Sequence, residues 1–191
     1  MIHKKSSNVV THEKTNSISF RYSVNLIEAL SAEAAEKEIS LNVLTRQILQ
    51  KHVEWDRYAA IMGMIQVPQE LISFIGTEVK DEAIDRIVDV LHPKFKDWVM
   101  FLKGSYDLKH SIETLEEYMN ASYLSSDHRI EGSVHHFIIQ HNLGIMWSLF
   151  LERFLKRIIT EFLPDKPIQF KTTDNVLSTT IALGEDFNLY H

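Results

Sequence analysis

Between Ser17 and Ser23 apolar and polar residues alternate one by one, with Ile18, Phe20 and Tyr22 on one side and Ser17, Ser19, Arg21 and Ser23 on the other. A period of two over seven residues predicts a single β-strand. Helical patterns follow at once, so this strand has no partner in its own neighbourhood. Its open edge would present unpaired N–H and C=O groups, and the cheapest partner is the same strand of a second copy. A homodimer is the first expectation.

Asn25 to Glu38 then sets Leu26, Ile27, Leu30 and Ala34 at helical spacing, with Ser23 or Asn25 as the capping residue. Ile39-Ser40 interrupts the pattern. Ser40 is an N-cap candidate for a second helix carrying Leu41, Leu44, Ile48, Leu49 and Val53, which continues past Trp55 and Tyr58 toward Met62. Gly63 and Pro68 mark a boundary, and the intervening stretch to Ile75 reads as extended residues, a proline and a short helix.

From Asp81, the set Ile84, Ile87, Val88 and Leu91 predicts a helix that ends at His92-Pro93, because the residue before a proline avoids the α conformation. Phe95, Trp98, Val99 and Leu102 resume the spacing up to Gly104, and Leu108, Ile112, Leu115, Met119 and Tyr123 predict a further helix. Val134 to His141 reads as a strand. The helix expected from Leu143 to Leu163 is apolar on two sides and should lie between layers. Two final strands, 168–173 and 176–183, flank the turn dipeptide Asp174-Asn175. The expected class is α+β: an N-terminal strand-helix-helix unit, then a larger helical domain with a small three-stranded sheet. The expected divisions are a polar tail over 1–16, the first unit over 17–60, a connector over 61–80 and the larger domain over 81–191.

Composition narrows the chemistry. The chain has 191 residues, 45% hydrophobic and 24% charged, so a folded body is expected rather than disorder. It has no cysteine, which removes disulfides and thiolate metal sites. The tail holds Lys4, Lys5 and Lys14 and lacks the apolar stretch of a secretory signal. The uncharged run from Gly132 to Leu151 contains three His, a Gln, an Asn and Gly144, so it is a poor membrane span, and a cytoplasmic protein without membrane contact is expected. Residues 1–56 carry seven Lys/Arg and seven Asp/Glu; the rest carry thirteen and nineteen, which accounts for the whole net charge of −6. Any polyanion should therefore meet the N-terminal third.

The alternating strand, the entry Ser23-Val24-Asn25-Leu26-Ile27-Glu28-Ala29-Leu30 and the Ile39-Ser40 break together resemble a ribbon-helix-helix DNA-binding domain of the MetJ/Arc/CopG type, over residues 17–56. The resemblance implies an intertwined dimer whose two strands form an antiparallel ribbon in the major groove of double-stranded DNA. It implies base contacts from Ser17, Ser19 and Arg21, the last suited to guanine. It implies phosphate contacts from Ser40, Leu41 and Asn42 at the start of the second helix, aided by Lys4 and Lys5. Its dimer core would be Ile18, Phe20, Tyr22, Leu26, Leu30, Leu44 and Ile48. Two positions depart from the family pattern: Glu38 stands where a Gly is common, and Val43 where a Glu or Gln completes the helix cap.

The ten histidines raise a metal-responsive alternative, with the segment 134–141 as its centre and His110 or His128 as helpers. In a strand His135 and His136 point to opposite faces, and no His-x3-His pair stands on a helix, so no metal and no cofactor is expected. His141, Asn142 and Trp147, at a strand-to-helix turn next to Gly144, form a candidate small-molecule pocket. No Gly-rich phosphate loop, G-x-S-x-G elbow or H-E-x-x-H occurs, and no enzyme activity is expected. The sequence thus reads as a homodimeric transcriptional regulator, a repressor or another promoter-bound factor, with room for higher oligomers on DNA and for an unidentified effector. An antitoxin-like protein whose C-terminal part binds a partner is the competing reading. The regular patterning of residues 81–183 weighs against it, since partner-binding tails of that kind are short and fold on binding.

Overall fold

The computed structural model describes residues 16–183, and the chain separates into two units with the boundary after Ile48. In the first unit, residues 16–23 form no strand and pair with none among the described residues, so the strand expected over 17–23 is not formed in the single chain; an alternating segment has no ladder without a partner edge. Within it the rings of Phe20 and Tyr22 stack 5.8 Å apart. Helix α1 (Val24–Glu36) begins where Ser23 Oγ accepts the Leu26 N–H at 3.3 Å. It ends in a turn in which Glu38 takes φ 54°, the left-handed conformation that glycine adopts without strain. Helix α2 (Leu41–Lys51) starts on Ser40, whose Oγ accepts the Val43 N–H at 3.3 Å. Ala34 of α1 and Leu44 of α2 are the buried apolar side chains of this unit.

The second unit, from Leu49, takes the last turn of α2 and continues as a π-helical turn, His52–Asp56, and a short α3 (Arg57–Ala59). Gly63 at φ 77° turns the chain, and α4 (Gln69–Glu78) follows Pro68. Helix α5 (Asp81–Lys103) runs unbroken through Pro93, which corrects the expected stop at His92. Proline costs a helix about 3 kcal/mol. Here Pro93 faces solvent, while Ile84, Val88, His92, Phe95 and Val99 form one buried stripe along the whole length. Burying such side chains contributes about 1.5–3 kcal/mol each, enough to carry the helix past the proline. Gly104, at φ 81°, caps it. Asp107 then caps α6 (Leu108–Ala121).

The sheet has four antiparallel strands in the order β1-β2-β4-β3, not three. Strands β2 (Val134–Gln140), β3 (Ile168–Thr172) and β4 (Val176–Ala182) lie where the hydrophobic pattern puts them, with Asp174-Asn175 closing the β3–β4 hairpin. The additional strand, β1 (Ser125–Glu131), is an edge strand in register with β2 from Ser125↔Gln140 to Glu131↔Val134. Its core-side positions are Ser126, His128 and Ile130, so it carries one apolar residue where a sequence pattern needs several. Main-chain pairing with β2 holds it instead.

Helix α7 (Ile145–Phe162) lies between this sheet and helices α4, α5 and α6, as its two apolar sides require. The core joins Phe137, Ile139, Leu177 and Ile181 of the sheet to Leu151, Leu155, Ile158 and Ile159 of α7 and to Ile84, Val88 and Val99 of α5. Phe95 and Phe154 meet edge to face at 5.3 Å. A polar clasp seals the same seam: His92 Nε2, Lys96 Nζ and the Tyr106 hydroxyl converge on the Glu161 carboxylate at 3.0, 2.6 and 2.9 Å. Among the described residues, no helix is long and apolar enough to cross a membrane.

Candidate functional site

In the first unit Ser17, Ser19 and Arg21 are all exposed, opposite the Ile18, Phe20 and Tyr22 side. Ile18 is 75% exposed and Phe20 55%, and Leu26 and Ile48 are also open to solvent; Leu30 is half-buried and Leu44 fully buried. At the start of α2 the Val43 amide bonds Ser40 Oγ and the Leu44 amide bonds the Ser40 carbonyl. The amides of Leu41 and Asn42 lie at the free N-terminal end of the helix, where backbone N–H groups and the helix dipole favour an anion. No acidic residue stands in that first turn. Lys4 and Lys5 lie outside the described residues.

The second unit contains a cavity of about 310 Å³, within the range of small-molecule sites. Trp55 of the π-helical turn, Ile72, Ile75 and Gly76 of α4, and Ile84, Leu91, Phe95 and Trp98 of α5 form one side. Leu115, Tyr118 and Met119 of α6 and Met146, Trp147, Phe150 and Phe154 of α7 form the other. Among the described residues, the wall holds no Asp, Glu, Lys, Arg or His. Two residues of this wall, Thr114 and Trp147, each hold a polar atom, Oγ1 and Nε1, that is buried without a hydrogen-bond partner. An unsatisfied buried polar atom costs about 1–3 kcal/mol.

The structure separates the three residues that the sequence pattern grouped as a pocket. Trp147 lines the cavity. Asn142 is exposed, and its carbonyl accepts from Gln69 Nε2 at 3.3 Å. His141 is buried and works as a fastener. Its Nδ1 accepts the Leu143 N–H at 3.2 Å, which leaves the proton on Nε2 to be donated to Ser148 Oγ at 2.9 Å. Ser148 in turn donates to the Asp174 carbonyl at 3.4 Å, tying the end of β2 to α7 and to the β3–β4 turn. Burial holds the His141 imidazole below its ordinary pKa.

His92, His110, His128, His135 and His136 are likewise committed to neighbours. His128 lies between Glu116 and His135, with Nδ1 2.9 Å from the carboxylate and Nε2 2.8 Å from His135 Nδ1, and it stacks on Phe137 at 4.0 Å. His136 Nδ1 lies 3.1 Å from Thr180 Oγ1, on the opposite face of β2 from the buried His135. His110 Nδ1 lies 2.8 Å from Asp107. No group of three or more potential metal-ligating side chains is found among the described residues.

Sequence spacing missed Trp55, Trp98 and Thr114, because the cavity collects single residues from separate helices. The one usable hint was the second apolar side of α7, Met146, Phe150 and Phe154, which faces the cavity rather than the sheet. No protein-family model matches the chain, and no curated protein sequence matches it.

Proposed function

We propose that the chain acts as a homodimeric, sequence-specific DNA-binding transcriptional regulator of the ribbon-helix-helix kind. Residues 17–23 of two copies pair into an antiparallel ribbon that enters the major groove, where Ser17, Ser19 and Arg21 meet base edges. The start of α2, at Ser40, Leu41 and Asn42, rests against a phosphate. The larger unit supports oligomerisation or senses a ligand. A cytoplasmic location accords with that activity.

One observation carries this reading. Ile18, Phe20, Tyr22, Leu26 and Ile48 are exposed in the single chain, while Ala34 and Leu44 alone are the buried apolar residues of the described first unit. So small a core falls far short of what an independent unit needs, and a second copy would cover the exposed side. The same strand then keeps its polar side free. Its single arginine gives it selectivity more readily than strong attraction.

Selection from a random pool of duplex DNA at several salt concentrations tests the reading. Wild type is expected to enrich a two-fold symmetric motif. Arg21→Ala is expected to stay dimeric and to lose about 1–3 kcal/mol of discrimination at the base it contacts. No enriched motif for wild type, or an unchanged motif for the variant, would refute ribbon readout.

A further inference from the structure

We infer that the cavity of the larger unit is a binding site for an uncharged, apolar molecule of about two fused rings. The inference deepens the ligand-sensing half of the proposed function and rests on it.

Size comes first. A cavity near 150 Å³ admits benzene. At about 310 Å³ this one has roughly twice that room. Neutrality follows from the wall, which offers no counter-ion to a carboxylate, phosphate or ammonium; a charge buried there would go unpaired at large cost.

The surroundings suit entry and recognition. Helix α4 contributes Ile72, Ile75 and Gly76 to the wall yet has no fully buried residue, so it is the least anchored side of the cavity. Trp55 stands on a π-helical turn, a distortion that concentrates at functional sites. All three tryptophans of the chain line this one cavity. Intrinsic fluorescence therefore reports on the site without a label.

The test titrates the full-length protein, in the absence of DNA, with three bicyclic probes of similar shape: 2-tetralone, tetralin and tetralin-2-carboxylate. Tryptophan emission and calorimetry should both show one saturable event per chain. Tetralin is expected to bind at least as tightly as the ketone, whose carbonyl would give up its hydrogen bonds to water against so apolar a wall. The carboxylate is expected to bind at least about 100-fold more weakly than the ketone.

Gly76→Leu gives an independent variant. A Cβ at Gly76 meets only ordinary contact, 3.7 Å from the Leu143 carbonyl, and leucine suits a helix better than glycine. Its side chain should fill the cavity and abolish binding of both neutral probes while circular dichroism stays unchanged. Absence of saturable binding by the neutral probes, carboxylate binding as tight as the ketone's, or full binding by folded Gly76→Leu would each overturn the inference. Because the assay contains no DNA, its failure leaves the DNA-selection result standing, and failure of DNA selection leaves the cavity result standing.

Discussion

The two units handle apolar residues in opposite ways. In the larger one, Val99, Leu151, Ile158, Ile159 and Leu177 are at most 1% exposed and share a core between a sheet and three helices. In the described part of the first, Ile18, Phe20, Tyr22, Val24, Leu26 and Ile48 stand in solvent beside two buried residues. The contrast has a simple physical origin. A unit of about 140 residues folds enough surface inward to close its own core, and one of under 50 does not. The larger unit closes its own core and leaves a cavity within it, whereas the smaller unit leaves apolar side chains exposed.

That comparison can be broken or sharpened by substitution, beginning with the largest effect. Phe20→Glu puts a charge on the side assigned to the dimer and should convert dimer to monomer at micromolar concentration, at a cost of several kcal/mol if that side is buried in the dimer. Analytical ultracentrifugation checks it, and a surviving dimer would remove the role given to the exposed side of the small unit. Ile159→Ala attacks the other unit at a fully buried point away from the cavity. It should cost about 2–5 kcal/mol in denaturant unfolding of the larger unit. A change below about 1 kcal/mol would mean that the core around α7 relaxes far more than its burial implies.

A smaller effect is a pH dependence that belongs to the larger unit. Burial lowers the pKa of His141 below the ordinary 6.5, so the folded protein binds its proton less readily than the unfolded chain does. Above that value both states are neutral and stability is unaffected. As pH falls below 6.5, the unfolded chain takes up a proton that the folded state resists, and stability declines. His92 has the same sign: burial lowers it, although Glu161 pulls the other way. The melting temperature should therefore drop between pH 7 and pH 5.5. His141→Gln should begin less stable at pH 7 and show a shallower decline, with His92 supplying the remainder. An unchanged slope in that variant would show that His141 is not among the groups that set it.

Much of the architecture was legible along the chain. Ser23 and Ser40 as caps, Gly104 as a terminator, the Asp174-Asn175 turn and the two-sided α7 all follow from local chemistry that each residue carries wherever the chain goes. Pro93 and β1 were misread for one shared reason. In both, a distant partner outweighs the local signal: a continuous buried stripe along α5 carries the helix through proline, and the main chain of β2 recruits a polar segment as a strand. The candidate site split in the same way. Trp147 was recognisable beside Gly144, but its unpartnered indole N–H and the walls around it were not.

Elements with a local cause follow from the chain alone: helical spacing, capping serines, turn residues and the placement of charge. Only the tertiary structure decided which of several equally apolar residues would close a core and which would surround a space. Three tryptophans on three separate segments have no spacing relation along the chain. They become one site because the packing of α4, α5, α6 and α7 leaves a volume that their side chains line but do not fill.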